Sequence, residues 1–74
     1  MISKENLIQM VNTLNAKYKN VKFKHHAEIY FTKYNDIYLT IDHQIFRRNN
    51  CIRKDGSKTG INFTEAYRLL NIYV

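Results

Sequence analysis

His25, His26, His43 and Cys51 are the side chains of this 74-residue sequence whose types could hold a metal or attack a carbonyl. Zinc needs four donors in a tetrahedron, and a nucleophilic thiol needs a base and an oxyanion-stabilising turn. The strand pairing derived below sets His25 and His43 on one face at diagonal distance, but that face is apolar and carries no carboxylate to complete a donor set. Two half-buried structural histidines near a sheet edge are expected there, and no metal. Cys51 has cations nearby that would lower a thiol pKa, yet no oxyanion loop accompanies it and so short a chain leaves little volume for a substrate. Glu28 and Asp42 face each other in the same pairing, on an open sheet face where water solvates both. In "DGSKTG" the residues of a phosphate loop stand in the wrong order, with Ser57 before Lys58 and Ile at position 52 where G-x-x-x-x-G-K-[ST] has its glycines. These readings assign no catalytic residue, no metal ligand and no cofactor.

Positive charge is what the sequence does concentrate. The chain carries +6, and residues 47–60 hold +4 of it, against +2 for each of the segments 1–20 and 21–34, −2 for 35–46 and zero for 61–74. Arg47, Arg48, Arg53, Lys54 and Lys58 supply the excess, in the stretch "IFRRNNCIRKDGSKTG". A local excess of this kind attracts polyanions or acidic protein surfaces, although basic loops also serve solubility alone.

Composition bounds the architecture that must carry these groups. A chain of this length makes one small domain over residues 1–74 and buries about 60% of its unfolded surface, enough for one core cluster. Apolar residues at 45% and the absence of proline argue for a folded chain. A single cysteine rules out an internal disulfide and fits a reducing, cytoplasmic setting. The N-terminus has no apolar run long enough for a signal peptide, and nothing approaches a membrane span of about 20 apolar residues, so no membrane partner is expected. Phe, Tyr, Met, Ile, Asn and Lys, with AT-rich codons, make up much of the sequence, a bias that points to a phage or mobile element of a low-GC bacterium.

Periodicity gives the elements. In "MISKENLIQMVNTLNAKYKN", Ser3 is an N-cap, Ile2 and Leu7 form a hydrophobic staple, and Leu7, Met10, Val11, Leu14 and Tyr18 recur at helical spacing, with Asn20 closing the end. The period then changes to two. "VKFKHHAEIYFTKY" alternates Val21, Phe23, His25, Ala27, Ile29 and Phe31 with a polar face, and "DIYLTIDHQIF" alternates Ile37, Leu39, Ile41, His43 and Ile45 with Tyr38, Thr40, Asp42, Gln44 and Phe46. A hairpin with the three-residue loop Tyr34-Asn35-Asp36 keeps the faces matched, setting Phe31 opposite Leu39, Ile29 opposite Ile41, and Tyr30 diagonal to Tyr38. A tight turn at Asn49-Asn50 returns "CIRK" beside "IFRR" as a third strand, with Ile52 on the core side and Cys51 and Arg53 on the other. "KDGSKTG" reads as an exposed loop. "NFTEAYRLLNIYV" is a second helix, with Asn62 and Glu65 at capping-box spacing, Ile61 as staple and Ala66, Leu69 and Leu70 as its buried stripe, joined by Tyr73.

The fold expected is α+β, an α-β-β-β-α chain with a three-stranded antiparallel sheet and two helices packed on one face. This order of elements is similar to that of the double-stranded-RNA-binding domain, which also has a basic loop before its second helix. The residues do not follow: that family's second helix opens with a run of lysines and continues alanine-rich, whereas "NFTEAYRLL" offers only Arg68. The likeness is one of topology, and no site residue is carried over.

The sheet face away from the helices would display Lys24, His26, Tyr30, Tyr38, Phe46, Arg48 and Arg53, aromatics that stack bases interleaved with cations that hold phosphates. The expectation is a small non-catalytic basic binding module that docks on nucleic acid or a nucleoprotein complex through Arg47, Arg48, Arg53, Lys54, Lys58, Tyr30, Tyr38 and Lys24. The rival expectation is a stoichiometric inhibitor or adaptor, in the manner of anti-CRISPR proteins, that sets the same basic edge against an acidic protein surface on a host nuclease or defence complex. Outward aromatics can also pack against a second copy of the chain, as in a homodimer.

Overall fold

The structure, a computed structural model, describes residues 2–19 and 25–74, without the side chains of residues 49–51. Helix α1 spans Lys4–Lys17 and starts where a local side-chain exchange satisfies its free N–H groups. Ser3 Oγ accepts from the Asn6 N–H at 3.1 Å, and Asn6 Oδ1 accepts from the Ser3 N–H at 3.1 Å. Leu7, Val11 and Leu14 form its buried stripe, with Met10 and Tyr18 packed against the core beside them. Lys24, the Asn20 cap and the expected start of the strand at Val21 lie outside the described residues.

Strands β1 (Ala27–Phe31) and β2 (Ile37–Ile41) pair antiparallel, with Phe31 opposite Ile37, Ile29 opposite Leu39 and Tyr30 opposite Tyr38. The loop has three residues, as expected, but they are Lys33-Tyr34-Asn35. The Thr32 N–H donates to the Asp36 carbonyl at 2.9 Å and the Asn35 N–H to the Thr32 carbonyl at 3.1 Å, while Asn35 takes φ 66°. Asn tolerates that left-handed conformation and so belongs at the loop's last position. Moving the loop by one residue slips the pairing by two, which keeps both faces intact but sets Tyr30 directly across from Tyr38. Glu28 then faces Thr40 rather than Asp42.

The second run of alternation breaks where continuity was expected. Asp42 and His43 both have positive φ, 52° and 70°, the backbone of a two-residue type I′ turn. Strand β3 (Gln44–Phe46) folds back on β2, pairing Phe46 with Leu39, Ile45 with Thr40 and Gln44 with Ile41. A two-residue turn pairs odd with even positions, so the faces exchange: Phe46 packs toward the core and Ile45 stands on the open face. The third strand is therefore residues 44–46, not "CIRK".

Asn49-Asn50 is correspondingly no turn. It runs within β4 (Arg48–Ile52), which pairs with β5 (Lys58–Thr59) in a separate two-stranded sheet. Arg48 faces Thr59 and Ile52 faces Lys58, so the residues between bulge from the ladder. Ile52 is 66% exposed rather than part of the core. The expected "KDGSKTG" loop is the tip of this hairpin and repeats the β1–β2 loop geometry: Arg53 N–H donates to the Ser57 carbonyl at 2.8 Å, Gly56 N–H to the Arg53 carbonyl at 2.9 Å, and Gly56 takes φ 87°.

The chain returns to the main sheet through Gly60 and Ile61. Ile61 exchanges both backbone hydrogen bonds with Ile37, at 2.8 and 3.0 Å. Gly60 lies so close to β2 that a Cβ there would sit 2.4 Å from the Ile37 carbonyl oxygen. Helix α2 (Phe63–Asn71) follows, with Asn62 Oδ1 accepting from the Glu65 N–H at 2.8 Å. Ala66 and Leu70 meet Leu7, Val11 and Leu14 of α1 over Ala27, Ile37, Leu39 and Ile41 of the sheet, and this is the core. Two helices on one face of a three-stranded antiparallel sheet, in α-β-β-β-α order with an added hairpin before α2, make the fold α+β.

Candidate nucleic-acid interface

Both helices cover one side of the sheet, so the other side carries no helix. Its centre is the directly opposed pair Tyr30 and Tyr38, whose rings stack at 5.9 Å with planes 24° apart. Tyr38 is anchored by its hydroxyl, which donates to the Lys58 carbonyl of the second hairpin. Tyr30 is 61% exposed, so Tyr38 holds one side of its ring and the rest is open.

The two hairpins are locked together at their similar tips. Arg53 Nη2 pairs with Asp36 Oδ2, Nη1 donates to the Lys58 carbonyl at 2.9 Å, and the guanidinium carbon lies 4.1 Å from the centre of the Tyr34 ring. Tyr34 in turn donates its hydroxyl to Asp55 Oδ2 at 2.6 Å. The Arg53 and Asp36 side chains are only 14% and 16% exposed, so this pair is largely withdrawn from water. Between the tips opens a cleft of about 240 Å³ lined by Tyr30, Tyr34, Tyr38, Lys33 and Arg53. Asp55 sits on its rim, and its carboxyl is held well below the usual carboxylate range by the Ser57 hydroxyl, then the Tyr34 hydroxyl and the Ser57 N–H. Lys33 also lines the cleft, and Lys54 is exposed at the tip of the second hairpin.

The cations singled out in the sequence fall into two groups. Arg53, Lys54 and Lys58 belong to the second hairpin beside the tyrosines, with Lys54 exposed at its tip and Lys58 half-buried in β5. Arg47 and Arg48 line a different groove, against α2, where Arg48 pairs with Glu65 and Arg47 is engaged within the protein. Arg53 is a structural clamp more than an available charge. Lys33, expected in the first strand, and Tyr34, expected in the turn, join the site because the hairpin tips meet across 21 residues of sequence. Aromatic residues in a turn were the only local signal.

The histidines separate too. His25 is half-buried, with its ring edge-on to Tyr18 at 4.7 Å, tilted on Tyr73 at 4.9 Å, and its Nδ1 on Asp42. That bond, with the His26 N–H, holds the Asp42 carboxyl below its ordinary range. His43 is exposed in the type I′ turn and shares no buried face with His25. Among the described residues no three His, Cys, Asp or Glu side chains gather as a metal site would require, and no helix is long and apolar enough to cross a membrane. No family model matches the chain, and no curated protein or solved structure is significantly similar to it.

Proposed function

We propose that the protein is a small, non-catalytic basic module that docks on nucleic acid or on a nucleoprotein, and that it grips a single-stranded segment at the tyrosine cleft. The observation that carries this reading is Tyr30: an exposed ring, braced by stacking on Tyr38, on a sheet face with no helix over it. A base has a π-face whatever its sequence, so a braced aromatic takes any base, and each such stack contributes about 1–3 kcal/mol. Lys33 and Lys54, with Lys58 beside them, supply charge for the strand backbone. The tyrosines are fixed before binding because the hairpin clamp orients them, which lowers the ordering cost of association.

Fluorescence-anisotropy titrations of the wild type against single-stranded and duplex DNA and RNA, at several salt concentrations, test the reading. Binding at low salt, stronger for single strands and weakened by Tyr30→Ala, is the expected result. A wild type that binds none of these polyanions at low salt would remove the nucleic-acid reading and leave the charged surface to a protein partner.

A further inference from the structure

Strand β1 is an outer strand of the main sheet, whose order is β1-β2-β3. Its bonds to β2 fall at even positions: the Thr32 N–H donates to the Asp36 carbonyl at 2.9 Å and the Asp42 N–H to the His26 carbonyl at 3.0 Å. The odd positions therefore point their N–H and C=O groups away from β2. Ala27 is closed off by Asn15 of α1, whose side-chain amide donates to the Ala27 carbonyl at 2.9 Å and accepts from its N–H at 2.8 Å. Among the described residues nothing bonds the main chain of Ile29 or Phe31 on that edge. Helix α1 runs beside it, with Asn15 at Ala27 and Lys4 over the Phe31 ring at 5.5 Å. Ile8 falls between them on that face by helical spacing and is 41% exposed. With the half-buried Ile29 and Phe31 it makes an apolar strip along an open sheet edge, the kind of edge that templates a further strand.

We infer that this edge pairs with the β1 edge of a second copy of the chain, antiparallel about a two-fold axis at Tyr30, so that the three-stranded sheets of the two copies become one. Asn15 sets the register. An axis at Ile29 would put Ala27 against the partner's Phe31, where Asn15 already holds the Ala27 groups. An axis at Tyr30 puts Ile29 against the partner's Phe31 and Phe31 against the partner's Ile29, so the free main-chain groups of both residues find partners. Glu28 then faces the partner's Thr32 rather than the partner's Glu28, and the two Tyr30 side chains meet on the open face. Ile8 comes level with the axis and covers the partner's Ile8. A strand from another protein would pair the backbone but leave Ile8 in water, whereas a second copy brings its own α1 to the strip. Charge beside the strip is balanced, Lys4 and Lys33 against Glu5 and Glu28, so a copy is not repelled there although the chain carries +6. Under the proposed function one face of the dimer offers a strand both tyrosine clefts; that consequence rests on the strand-binding reading, and the dimer itself does not.

The test is analytical ultracentrifugation of the full chain from micromolar to millimolar concentration, with amide hydrogen exchange followed by NMR at both ends of the range. A concentration-dependent dimer is expected, with exchange at Ile29 and Phe31 slowed in step with its formation. Ile8→Glu, at an exposed helix position, sets like charges against each other at the axis and is expected to weaken the dimer by about tenfold or more while leaving the circular dichroism spectrum unchanged. The inference is overturned if the chain stays monomeric at millimolar concentration, if a dimer forms while Ile29 and Phe31 exchange as fast as in the monomer, or if Ile8→Glu dimerises as tightly as the wild type. No nucleic acid is present, so a failure here counts against the dimer and not against the tyrosine cleft.

Discussion

Arg53 shows how one side chain can change role between composition and structure. It is one of five cations in a basic stretch, yet its guanidinium joins Asp36, the Lys58 carbonyl and the Tyr34 ring in a nearly closed contact. Removing one member of such a pair leaves the other charge unpaired in low dielectric. Arg53→Ala is therefore expected to cost about 3–5 kcal/mol in urea denaturation, and Arg53→Ala with Asp36→Ala less than the sum of the two single changes. Tyr30→Ala is expected to behave in the opposite way. Its ring is mostly in water, so stability should change little while affinity for a single strand falls by about 1–3 kcal/mol, read by anisotropy, with the salt slope unchanged.

At the scale of elements, two features set the arrangement. The stripe of α1 has to fill the space above the sheet, and Leu14 is fully buried in it. Leu14→Ala is expected to cost about 2–5 kcal/mol, a large part of the stability of so small a domain. Gly60 sets how closely the segment before α2 can approach β2. A methyl group there would overlap the backbone of Ile37, which cannot move without breaking its bridge to Ile61. Gly60→Ala should therefore destabilise by about 1–3 kcal/mol, while Gly60→Ser should be no milder; a neutral effect in denaturant would show that the Ile37–Ile61 bridge has slack.

For the whole molecule, net charge and acid-base balance make separate demands. Lys33 lines the tyrosine cleft and Lys54 is exposed at the tip of the second hairpin; under the proposed function each that touches a phosphate would release counterions, so Lys33→Ala with Lys54→Ala is expected to lower the log–log salt slope on single strands by about 1–1.5. Arg48→Ala with Arg53→Ala is a poorer test, since both arginines hold internal ion pairs. Acid stability follows the two depressed carboxylates. Asp42 and Asp55 are both held below the ordinary value of 3.8, so the stability they add is fully present above that value and is lost as pH falls through their folded-state values. Denaturation of the wild type is expected to become easier on acidification below 3.8, with a smaller change in Asp42→Asn and Asp55→Asn.

Local periodicity and capping chemistry determined the class of fold and most of the core. Helical spacing from Leu7 to Leu14, alternation from Ala27 to Ile41, and Asn62 ahead of Ala66 and Leu70 each depend on neighbours a few residues away, and all are seen in the structure. The α+β order and the helix-covered face follow from them. Tertiary structure decided what periodicity cannot encode. A two-residue turn at Asp42-His43 leaves an alternating sequence looking continuous, since reversing the chain preserves the period and changes only which parity faces inward; Phe46 and Ile45 exchanged sides for that reason. The candidate site was divided in the same way. Tyr30 and Tyr38 were legible because alternation places them on one face, whereas the Tyr34, Arg53 and Asp55 contacts, and the separation of Arg47 and Arg48 toward α2, depend on how two hairpins with equal loop geometry dock. Docking is a long-range fit of side chains, and no spacing within either hairpin specifies it.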